Sequence, residues 1–275
     1  MEEKAEQKEE GQQKLLGVYD FFQFECRKGI KCFNTCCANV NIFLTPYDVI
    51  RMKNNLGISS EEFLQKYTTI LRPEKGIFPV VLLRLRDDKE KQCYFVSEEG
   101  CQVYADRPWA CRMFPLDKKE SDEEETFFIL KHREGCLGFE QKNSWRVEDW
   151  IFNQEMNVFE RYESLYQAIT EHERAQGLEV ANPDVLLMVQ MATYNLDKFR
   201  KFVFESNFLN YFDLEKAREK VIKHDDVELL LLGFDWLKFG LLGQQTLSVK
   251  EGVAEEKKKD LEKRGLLKAK NPHEQ

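Results

Sequence analysis

Apolar residues in the second half of the chain recur at helical spacing. They follow a period of three to four residues through residues 150–166 and again through residues 185–203. On the second stretch the apolar positions are Val185, Met188, Ala192, Leu196, Phe199 and Val203. Two further helices are predicted over residues 213–224 and 227–242. The pattern therefore predicts a helical domain at residues 146–248.

The first half has a different pattern, in which short apolar runs alternate with turn residues. Thr45 and Pro46 suit the N-cap and first turn of a helix that ends before Gly57, and a serine two or three residues later suits the next N-cap. Short strands are predicted at residues 40–44, 78–85, 93–96 and 127–130. We therefore expect an α+β protein that is mostly helical, with a cysteine-rich half at residues 15–145 and a helical bundle after it.

Charged residues dominate both ends of the chain. Residues 1–14 are nearly all Glu, Lys and Gln and predict a disordered tail, and residues 249–275 form a second charged tail. The most apolar stretch, residues 229–242, has 14 residues that include Asp235 and Lys238. It is too short and too polar to span a membrane and predicts a buried helix. The N-terminal residues resemble no secretory signal, so we expect a cytoplasmic protein.

Composition narrows the classes of partner. The 275 residues carry 41 Lys and Arg against 49 Asp and Glu, a formal net charge of −8. A general nucleic-acid binder draws its affinity from cations that neutralise phosphates, and this balance argues against one. We therefore expect a protein or redox partner, with no general nucleic acid and no membrane span.

The cysteines all lie in one window of the sequence. They are Cys26, Cys32, Cys36, Cys37, Cys93, Cys101, Cys111 and Cys136. Three interpretations are compatible with eight thiols: a disulfide framework, buried cysteines that pack as small apolar residues, and a thiolate metal site. Disulfides require an oxidising compartment, and inert packing does not explain why every thiol shares one window. The clustering therefore favours a metal site.

The first block places four thiols within the twelve residues from Cys26 to Cys37. Thiolate ligands must converge to about 2.3 Å from a bound ion, and short spacings allow a loop to fold around it. Cys36 and Cys37 are adjacent, so in extended backbone they would point to opposite faces and could serve two metals. A turn or a helix start would instead let both thiols reach one cluster.

The second block spreads Cys93, Cys101 and Cys111 over a sequence rich in loop residues. Cys136 stands apart beside two glycines, and this context predicts a further ligand. His132 is four residues before Cys136 and could ligate, but a surface or core role is the commoner one for a lone histidine. The scarcity of histidine disfavours a Cys/His catalytic zinc.

Basic residues accompany both blocks. Arg27, Lys28 and Lys31 flank the first block, and Arg107 and Arg112 flank the second. Cations beside a thiol lower its pKa and favour the thiolate that binds metal. Solvated loop charges are the simpler interpretation of the first three, whereas the two arginines are predicted to balance the negative charge of several thiolates.

Four motifs follow one another over residues 22–140. They read F-x-C…C-x3-CC, I-x-LTPYDVIRMKNNLGIS-x-EEFLQKY, C-Y-F…GC-x-VY-x-DRP-x2-CR-x-FP and C-x-GF. In this order they resemble the YkgJ family of cysteine-cluster proteins of bacteria and archaea, which are described as zinc- or iron-chelating. The resemblance implies that all eight cysteines are metal ligands. Shorter members begin C-x2-C-x2-CC, whereas this chain has C-x5-C-x3-CC, so which thiols of the first block share a metal stays open.

All-sulfur ligation is compatible with iron–sulfur clusters and with zinc. Eight thiolates permit two four-ligand sites, each a cluster or a Cys₄ zinc, or one of each. Ligand number, irregular spacing and the resemblance favour an iron–sulfur cluster of the 4Fe–4S type, and the paired C-x2-C knuckles of a zinc ribbon are absent from the sequence. We therefore expect a redox or metal-handling module that holds an iron–sulfur cluster or clusters, or alternatively zinc.

Two further functions remain open. The YkgJ family also resembles the flagellin lysine N-methylases, which implies an iron–sulfur-dependent protein lysine methyltransferase as one alternative. The other is an interaction protein stabilised by structural zinc. The sequence shows no glycine-rich phosphate loop and no nucleophile elbow, so no catalytic residue is predicted.

Overall fold

The computed structural model describes residues 15–72, 76–119, 125–130, 135–178 and 183–253. The predicted tail at residues 1–14, His132 and residues 254–275 of the second predicted tail lie outside the described residues. Within the described part of the chain, no helix has both the length and the apolar character needed to cross a membrane.

Helices and short strands alternate along the chain. The helices are α1 (Pro46–Leu56), α2 (Ser60–Tyr67), α3 (Trp109–Met113), α4 (Val147–Asn153), α5 (Met156–Thr170), α6 (Glu173–Gln176), α7 (Pro183–Thr193), α8 (Leu196–Glu205), α9 (Phe208–Tyr211), α10 (Lys216–Val221) and α11 (Asp226–Leu237). The strands are β1 (Leu15–Leu16), β2 (Phe21–Gln23), β3 (Thr68–Leu71), β4 (Val80–Leu83), β5 (Val96–Ser97), β6 (Gly100–Cys101), β7 (Leu116–Lys119), β8 (Thr126–Ile129), β9 (Ser144–Arg146), β10 (Phe212–Asp213) and β11 (Ser248–Val249). The predicted α+β class, mostly helical with a few short strands, is confirmed.

Two compact units divide the chain, and neither is one continuous segment. The cysteine unit comprises residues 1–55 and 82–161, and the helical unit comprises residues 56–81 and 162–275. The chain passes back from the helical unit to the cysteine unit within β4, and it leaves the cysteine unit within α5. All eight cysteines belong to the cysteine unit.

Small antiparallel sheets form the frame of the cysteine unit. The strands β1, β8 and β7 form a three-stranded sheet in that order, with Leu16 opposite Phe127 and Leu116 opposite Ile129. The strands β2 and β9 form a second pairing. Beneath these sheets lies a core of nine buried residues: Leu16, Phe22, Phe24, Met113, Leu116, Phe127, Val147, Trp150 and Met156. Cys136 packs against this core.

A buried carboxylate joins α1 to α3 in the cysteine unit. Asp48 accepts from the backbone N–H of Thr45 at 2.8 Å and of Trp109 at 2.9 Å, while Thr45 Oγ1 accepts from the N–H of Asp48. The prediction of Thr45 as N-cap of α1 is thereby confirmed. Burial raises the pKa of Asp48, and these hydrogen bonds and the charge of Arg112 oppose the increase. The net pKa is about 6.

A buried arginine explains why one predicted helix is two. Residues 150–166 were expected to form a continuous helix, but α4 ends at Asn153 and α5 begins at Met156, and Glu155 has φ +55°. Arg112 Nη1 donates to the carbonyl of Gln154 at 3.0 Å, and its guanidinium carbon lies 4.4 Å from the ring centroid of Phe159. The carbonyl at the break is therefore satisfied by a side chain instead of by the next helical turn.

In the helical unit, α2 and α8 cap each other. The N–H and the hydroxyl of Ser60 both donate to a carboxylate oxygen of Asp197, at 2.5 Å and 2.7 Å, and the N–H of Asp197 donates to Ser60 Oγ at 3.0 Å. The N-cap of α2 is Ser59, whose Oγ accepts from the N–H of Glu62. These polar contacts hold the segment that precedes β3 to the C-terminal helices.

The core of the helical unit lies between α7, α8 and α11. Gly233 allows α11 to approach α7 closely, since a Cβ atom at this position would lie 2.3 Å from the carbonyl oxygen of Ala192. Phe199 stacks on Trp236 with ring centroids 5.7 Å apart. The predicted buried helix over residues 227–242 is confirmed as α11 followed by the π-helical turn Lys238–Leu242.

On α7 the predicted apolar face is correct at Ala192 and wrong at Met188. Met188 is 39% exposed, whereas Ala192 and Val189, which was not predicted, are fully buried. The reason is that the chain breaks at Tyr194-Asn195 between α7 and α8, so the helical phase of residues 185–203 is not continuous. The α8 positions of the prediction, Leu196, Phe199 and Val203, are buried as expected.

Two of the predicted strands are reduced to single bridges. At residues 40–44 there is one bridge, from Phe43 to Leu82, and at the start of residues 93–96 there is one from Leu85 to Cys93. After Cys93 the chain turns, with the N–H of Val96 donating to the carbonyl of Cys93 at 3.3 Å. The turn interrupts the alternation that the sequence pattern suggested. The strands predicted at residues 78–85 and 127–130 are confirmed as β4 and β8, with small shifts at their ends.

Candidate metal centre

All eight cysteines are free thiols in the structure. Cys26 is exposed and the other seven are partly buried. They come from four separate parts of the cysteine unit: the loop after β2 with the 3₁₀ turn that follows it, the hairpin that includes β5 and β6, helix α3, and the start of the 3₁₀ turn Leu137–Glu140. The fold therefore gathers into one unit thiols that are up to 110 residues apart in the sequence.

Tight turns form the segment between Cys26 and Cys32, the longest gap within the first cysteine block. The N–H of Ile30 donates to the carbonyl of Arg27, and the N–H of Phe33 donates to the carbonyl of Ile30. Gly29, third in the first of these turns, has φ +98°, a conformation that favours glycine. The five residues between Cys26 and Cys32 therefore fold back on themselves, and both thiols line the same cavity.

The adjacent cysteines lie in the 3₁₀ turn Thr35–Cys37, between two residues with left-handed backbone. Asn34 has φ +68° and Asn39 has φ +52°, values that asparagine tolerates better than most residues. The side-chain amide of Asn34 donates to the carbonyl of Ser97 at 3.0 Å, which fixes the turn to the hairpin of β5 and β6. The turn has the helical form that was expected to bring Cys36 and Cys37 to one cluster, yet the two thiols have different neighbours.

The first thiol group consists of Cys26, Cys32, Cys36 and Cys136. Burial, together with the charges of the other three thiolates, raises the pKa of Cys26 to about 11. The Cys32 and Cys136 thiols are hydrogen bonded to each other. All four line one cavity of about 410 Å³ together with apolar side chains such as Phe24. The four thiols thus share one site.

Backbone amides support two sulfurs of this group. The N–H of Leu137 donates to Cys32 Sγ at 3.3 Å, and the N–H of Gly138 donates to the thiol of Cys136. Gly138 also accepts from the N–H of Glu25 at 3.0 Å, and a Cβ atom on Gly138 would lie 2.8 Å from the Phe24 ring. Glycine is therefore required at this position, where the turn after Cys136 packs on the strand that leads to Cys26.

The second thiol group consists of Cys37, Cys93, Cys101 and Cys111. A hydrogen bond with Cys36 and burial raise the pKa of Cys37, and the charges of Cys111 and Cys93 act in the same direction. Burial raises the pKa of Cys111, and the charges of Cys93 and Cys101 raise it further. The contact between Cys36 and Cys37 is the point at which the two groups adjoin.

Main-chain hydrogen bonds hold the second group in place. The N–H of Cys93 donates to the carbonyl of Cys37 at 2.8 Å, and Cys101 pairs with Val96 in the hairpin of β5 and β6. Burial raises the pKa of Cys93 and Cys101, whereas the N–H groups of Phe95 and Val103, each two residues further along the chain, donate to these sulfurs and lower it. N–H donors to sulfur are the kind of outer-shell support that tunes thiolate metal sites.

The cations near the thiols differ from those that the sequence indicated. The charge of Arg107 lowers the pKa of Cys101 and Cys111, as expected, in opposition to burial. Arg112 instead donates to main-chain carbonyls, and burial lowers its pKa. Arg27 and Lys28 pair with the carboxylates of Glu25 and Glu99 at the surface, in agreement with solvated loop charges.

Arg86 lies beside the second thiol group and is a residue that the sequence interpretation did not single out. Its charge lowers the pKa of Cys93, which burial raises, and its guanidinium donates to the carbonyls of Tyr94 and Val96 at 3.2 Å and 2.7 Å. It therefore holds the turn after Cys93 and places a positive charge beside that thiol. The signal that could have revealed it is weak, because Arg86 is separated from Cys93 by six residues of charged loop.

The donor set of each group fits a thiolate metal or cluster. Four sulfurs without a histidine, supported by N–H donors, are the ligands of Cys₄ zinc and of iron–sulfur clusters. Among the described residues, no three Cys, His, Asp or Glu side chains are close enough to hold an ion as they stand. Binding would therefore draw the thiols of a group together and release their protons, because it is the thiolate that binds metal.

Comparison with known proteins supports the same chemistry. Residues 25–143 match the model of the CxxCxxCC family, described as a putative zinc- or iron-chelating domain, which underlies the YkgJ-type cysteine-cluster proteins. The matched segment contains every cysteine of the chain. No curated protein and no solved structure gives a significant match.

Proposed function

We propose that the protein is a redox or metal-handling module with iron–sulfur centres. The proposal starts from the match of residues 25–143 to the CxxCxxCC family, whose domain is described as zinc- or iron-chelating. The observation that carries the proposal is the convergence of eight free thiols into two groups of four. Four thiolates are the ligand set of a 4Fe–4S cluster, and the two groups provide it twice.

The electrostatic setting of the thiols supports cluster binding. Each 4Fe–4S centre bears negative charge from its ligands, and N–H donors and nearby cations stabilise that charge and tune the reduction potential. N–H groups donate to Cys32 and Cys136 in the first group and to Cys93 and Cys101 in the second. The partner would be another protein or a redox partner. Both would meet in a reducing compartment such as the cytoplasm, because thiols stay available for metal there.

Zinc is the second candidate, and a specific observation favours it. In Cys93, Cys101 and Cys136 the amide two residues after the cysteine donates to the sulfur, so each thiol sits in a compact turn. Such turns suit tetrahedral Cys₄ coordination, which stabilises the fold directly. In this case the protein would be an interaction module stabilised by structural zinc.

Metal analysis of protein purified without oxygen separates the two candidates. We expect a brown protein with visible charge-transfer absorption, about eight iron and eight sulfide per chain if both groups carry 4Fe–4S clusters, and little zinc. A colourless protein with about two zinc per chain and no iron would replace the first candidate by the second. A preparation without iron or zinc, made in medium that contains both, would overturn both candidates.

A further inference from the structure

The two thiol groups differ in their access to solvent. The first group lines a cavity of about 410 Å³, and its thiol Cys26 is the exposed one of the eight. The cavity wall is otherwise largely apolar, with Ile30, Phe114 and Leu137 beside the sulfurs. A small chelator or thiol could therefore approach this group from one side without unfolding the protein.

Within the first group, the chain at Cys26 is the least firmly connected. Cys26 lies in irregular backbone between β2 and the turn at Gly29, and the pair of Arg27 with Glu25 is at the surface. Exposed ion pairs of this kind contribute little to stability. Movement of the Cys26 thiol therefore breaks few strong contacts.

Main-chain hydrogen bonds of the turn, the hairpin and the helix hold the ligands of the second group. Cys37 closes a 3₁₀ turn and accepts from the N–H of Cys93 through its carbonyl, and Cys101 belongs to a paired strand. Cys111 lies in α3, whose first N–H, on Trp109, donates to the buried carboxylate of Asp48. Displacement of any of these thiols would break buried hydrogen bonds, which costs about 1–3 kcal/mol for each group left unsatisfied.

From these differences we infer that the protein holds two centres with separate roles: an exchangeable centre at Cys26, Cys32, Cys36 and Cys136, and a retained structural centre at Cys37, Cys93, Cys101 and Cys111. The inference rests on the proposed metal-binding function and goes beyond it. Cys26, the exposed ligand, would be the one that gives way at the first centre. Its replacement by a donor atom of an incoming chelator would be a ligand substitution that changes no oxidation state, and the freed Cys26 thiolate would be protonated by the solvent.

Release kinetics on the full-length protein, purified without oxygen and with its own metal, test the inference. The protein is mixed with a chelator that binds zinc and both ferrous and ferric iron, and the released metal is followed against time. We expect two phases of equal amplitude whose rates differ by at least tenfold. Cys26→Ser removes the fast phase and leaves the slow one, and Cys101→Ser does the reverse. In parallel, iodoacetamide followed by peptide mapping should label the first four thiols of the wild type before the second four.

A matched pair of surface variants tests the role of the cavity. Lys31 lines the cavity, whereas Lys28 is an exposed lysine of the same loop, outside the lining and paired with Glu99. Lys31→Trp narrows the opening and should slow the fast phase severalfold, with no change in the slow phase. Lys28→Trp should change neither phase. Both variants keep all eight thiols.

The outcomes distinguish this inference from the proposed function. Wild-type protein without bound iron or zinc would overturn the proposed function and the inference with it. Metal that is present but leaves in one phase, or labelling that proceeds equally in both groups, would overturn the inference and leave the proposed function standing. The inference would also be overturned if Cys26→Ser lost the fast and the slow release phases equally and if iodoacetamide labelled both thiol groups of the wild type at the same rate.

Discussion

The two compact units of this chain are stabilised in different ways. In the helical unit, long helices pack through apolar side chains, and Phe199, Ala192 and Gly233 lie in closely packed contacts between helices. In the cysteine unit, strands of two to four residues surround a small aromatic core, and eight thiols occupy the turns beside it. The helical unit is thus held by contacts between helices, whereas the cysteine unit combines its core with eight potential metal ligands.

The two units therefore differ in whether bound metal or apolar packing contributes most to their stability. Short strands and irregular loops bury little apolar surface per residue, so a bound metal adds folding free energy that the loops do not supply themselves. The helical unit has no thiol and does not need that contribution. The cysteine unit should therefore respond to metal, and the helical unit to changes in packing.

Metal removal should give the largest effect and should be confined to the cysteine unit. Thiolate metal sites contribute on the order of 10 kcal/mol to the folding of small domains. Hydrogen exchange of full-length protein before and after chelation should show lost protection in β7 and β8 and unchanged protection in α8 and α11. Equal loss in both pairs of elements would mean that the comparison between the units is wrong.

Substitution of each of the two adjacent cysteines should remove metal from a different thiol group. Cys36→Ser should lower the occupancy of the first group and Cys37→Ser that of the second, each by about one of two centres, because neighbouring thiols contact different partners. Cys111→Ser should behave as Cys37→Ser does. Metal analysis combined with thiol labelling measures the division. If Cys36→Ser and Cys37→Ser lose the same centre, the two groups are one site.

A packing change in the helical unit should leave the metal in place. Phe199 is fully buried and stacks on Trp236, so Phe199→Ala should lower the free energy of unfolding by about 3–5 kcal/mol. Met188→Ala is the matched control, because Met188 is exposed and should cost less than about 1 kcal/mol. Denaturant unfolding and metal analysis are made on the same samples. Loss of metal in Phe199→Ala would contradict the separation of the two units.

Asp48 should give the cysteine unit a pH dependence of moderate size. Its pKa is raised from 3.8 to about 6 in the folded protein, so the folded state binds this proton more tightly than the unfolded state does. Stability from this residue therefore increases as the pH falls from about 7 towards 4, by about 2–3 kcal/mol. Arg112 and Cys111 face the same carboxylate, and both remain in Asp48→Asn.

The measurement is the difference in unfolding free energy between wild type and Asp48→Asn at a series of pH values. Loss of metal at low pH affects both proteins alike and cancels in the difference. We expect the unfolding free energy of the wild type to increase relative to that of Asp48→Asn as the pH decreases. A constant difference from pH 7 to pH 4 would show that Asp48 does not titrate in this range.

Local signals in the sequence were sufficient for many elements. Thr45 and Ser59 capped helices as predicted, and the run at residues 227–242 became the buried helix α11 with its π-helical turn. One failure occurred where a distant side chain replaced a local hydrogen bond: Arg112 satisfies the carbonyl at the break between α4 and α5. Hydrophobic periodicity and helix propensity do not predict such contacts, because the hydrogen-bond partner lies far along the chain.

The kind of site can be predicted without the structure, because eight thiols lie within 111 residues, histidine is scarce, and residues 25–143 match a zinc- or iron-chelating family. The grouping of the thiols required the fold, since Cys36 lies with Cys26 and Cys136 while its neighbour Cys37 lies with Cys93 and Cys111. Side-chain type is a local property, whereas the approach of four sulfurs depends on how turns, a hairpin and a helix pack together in one unit.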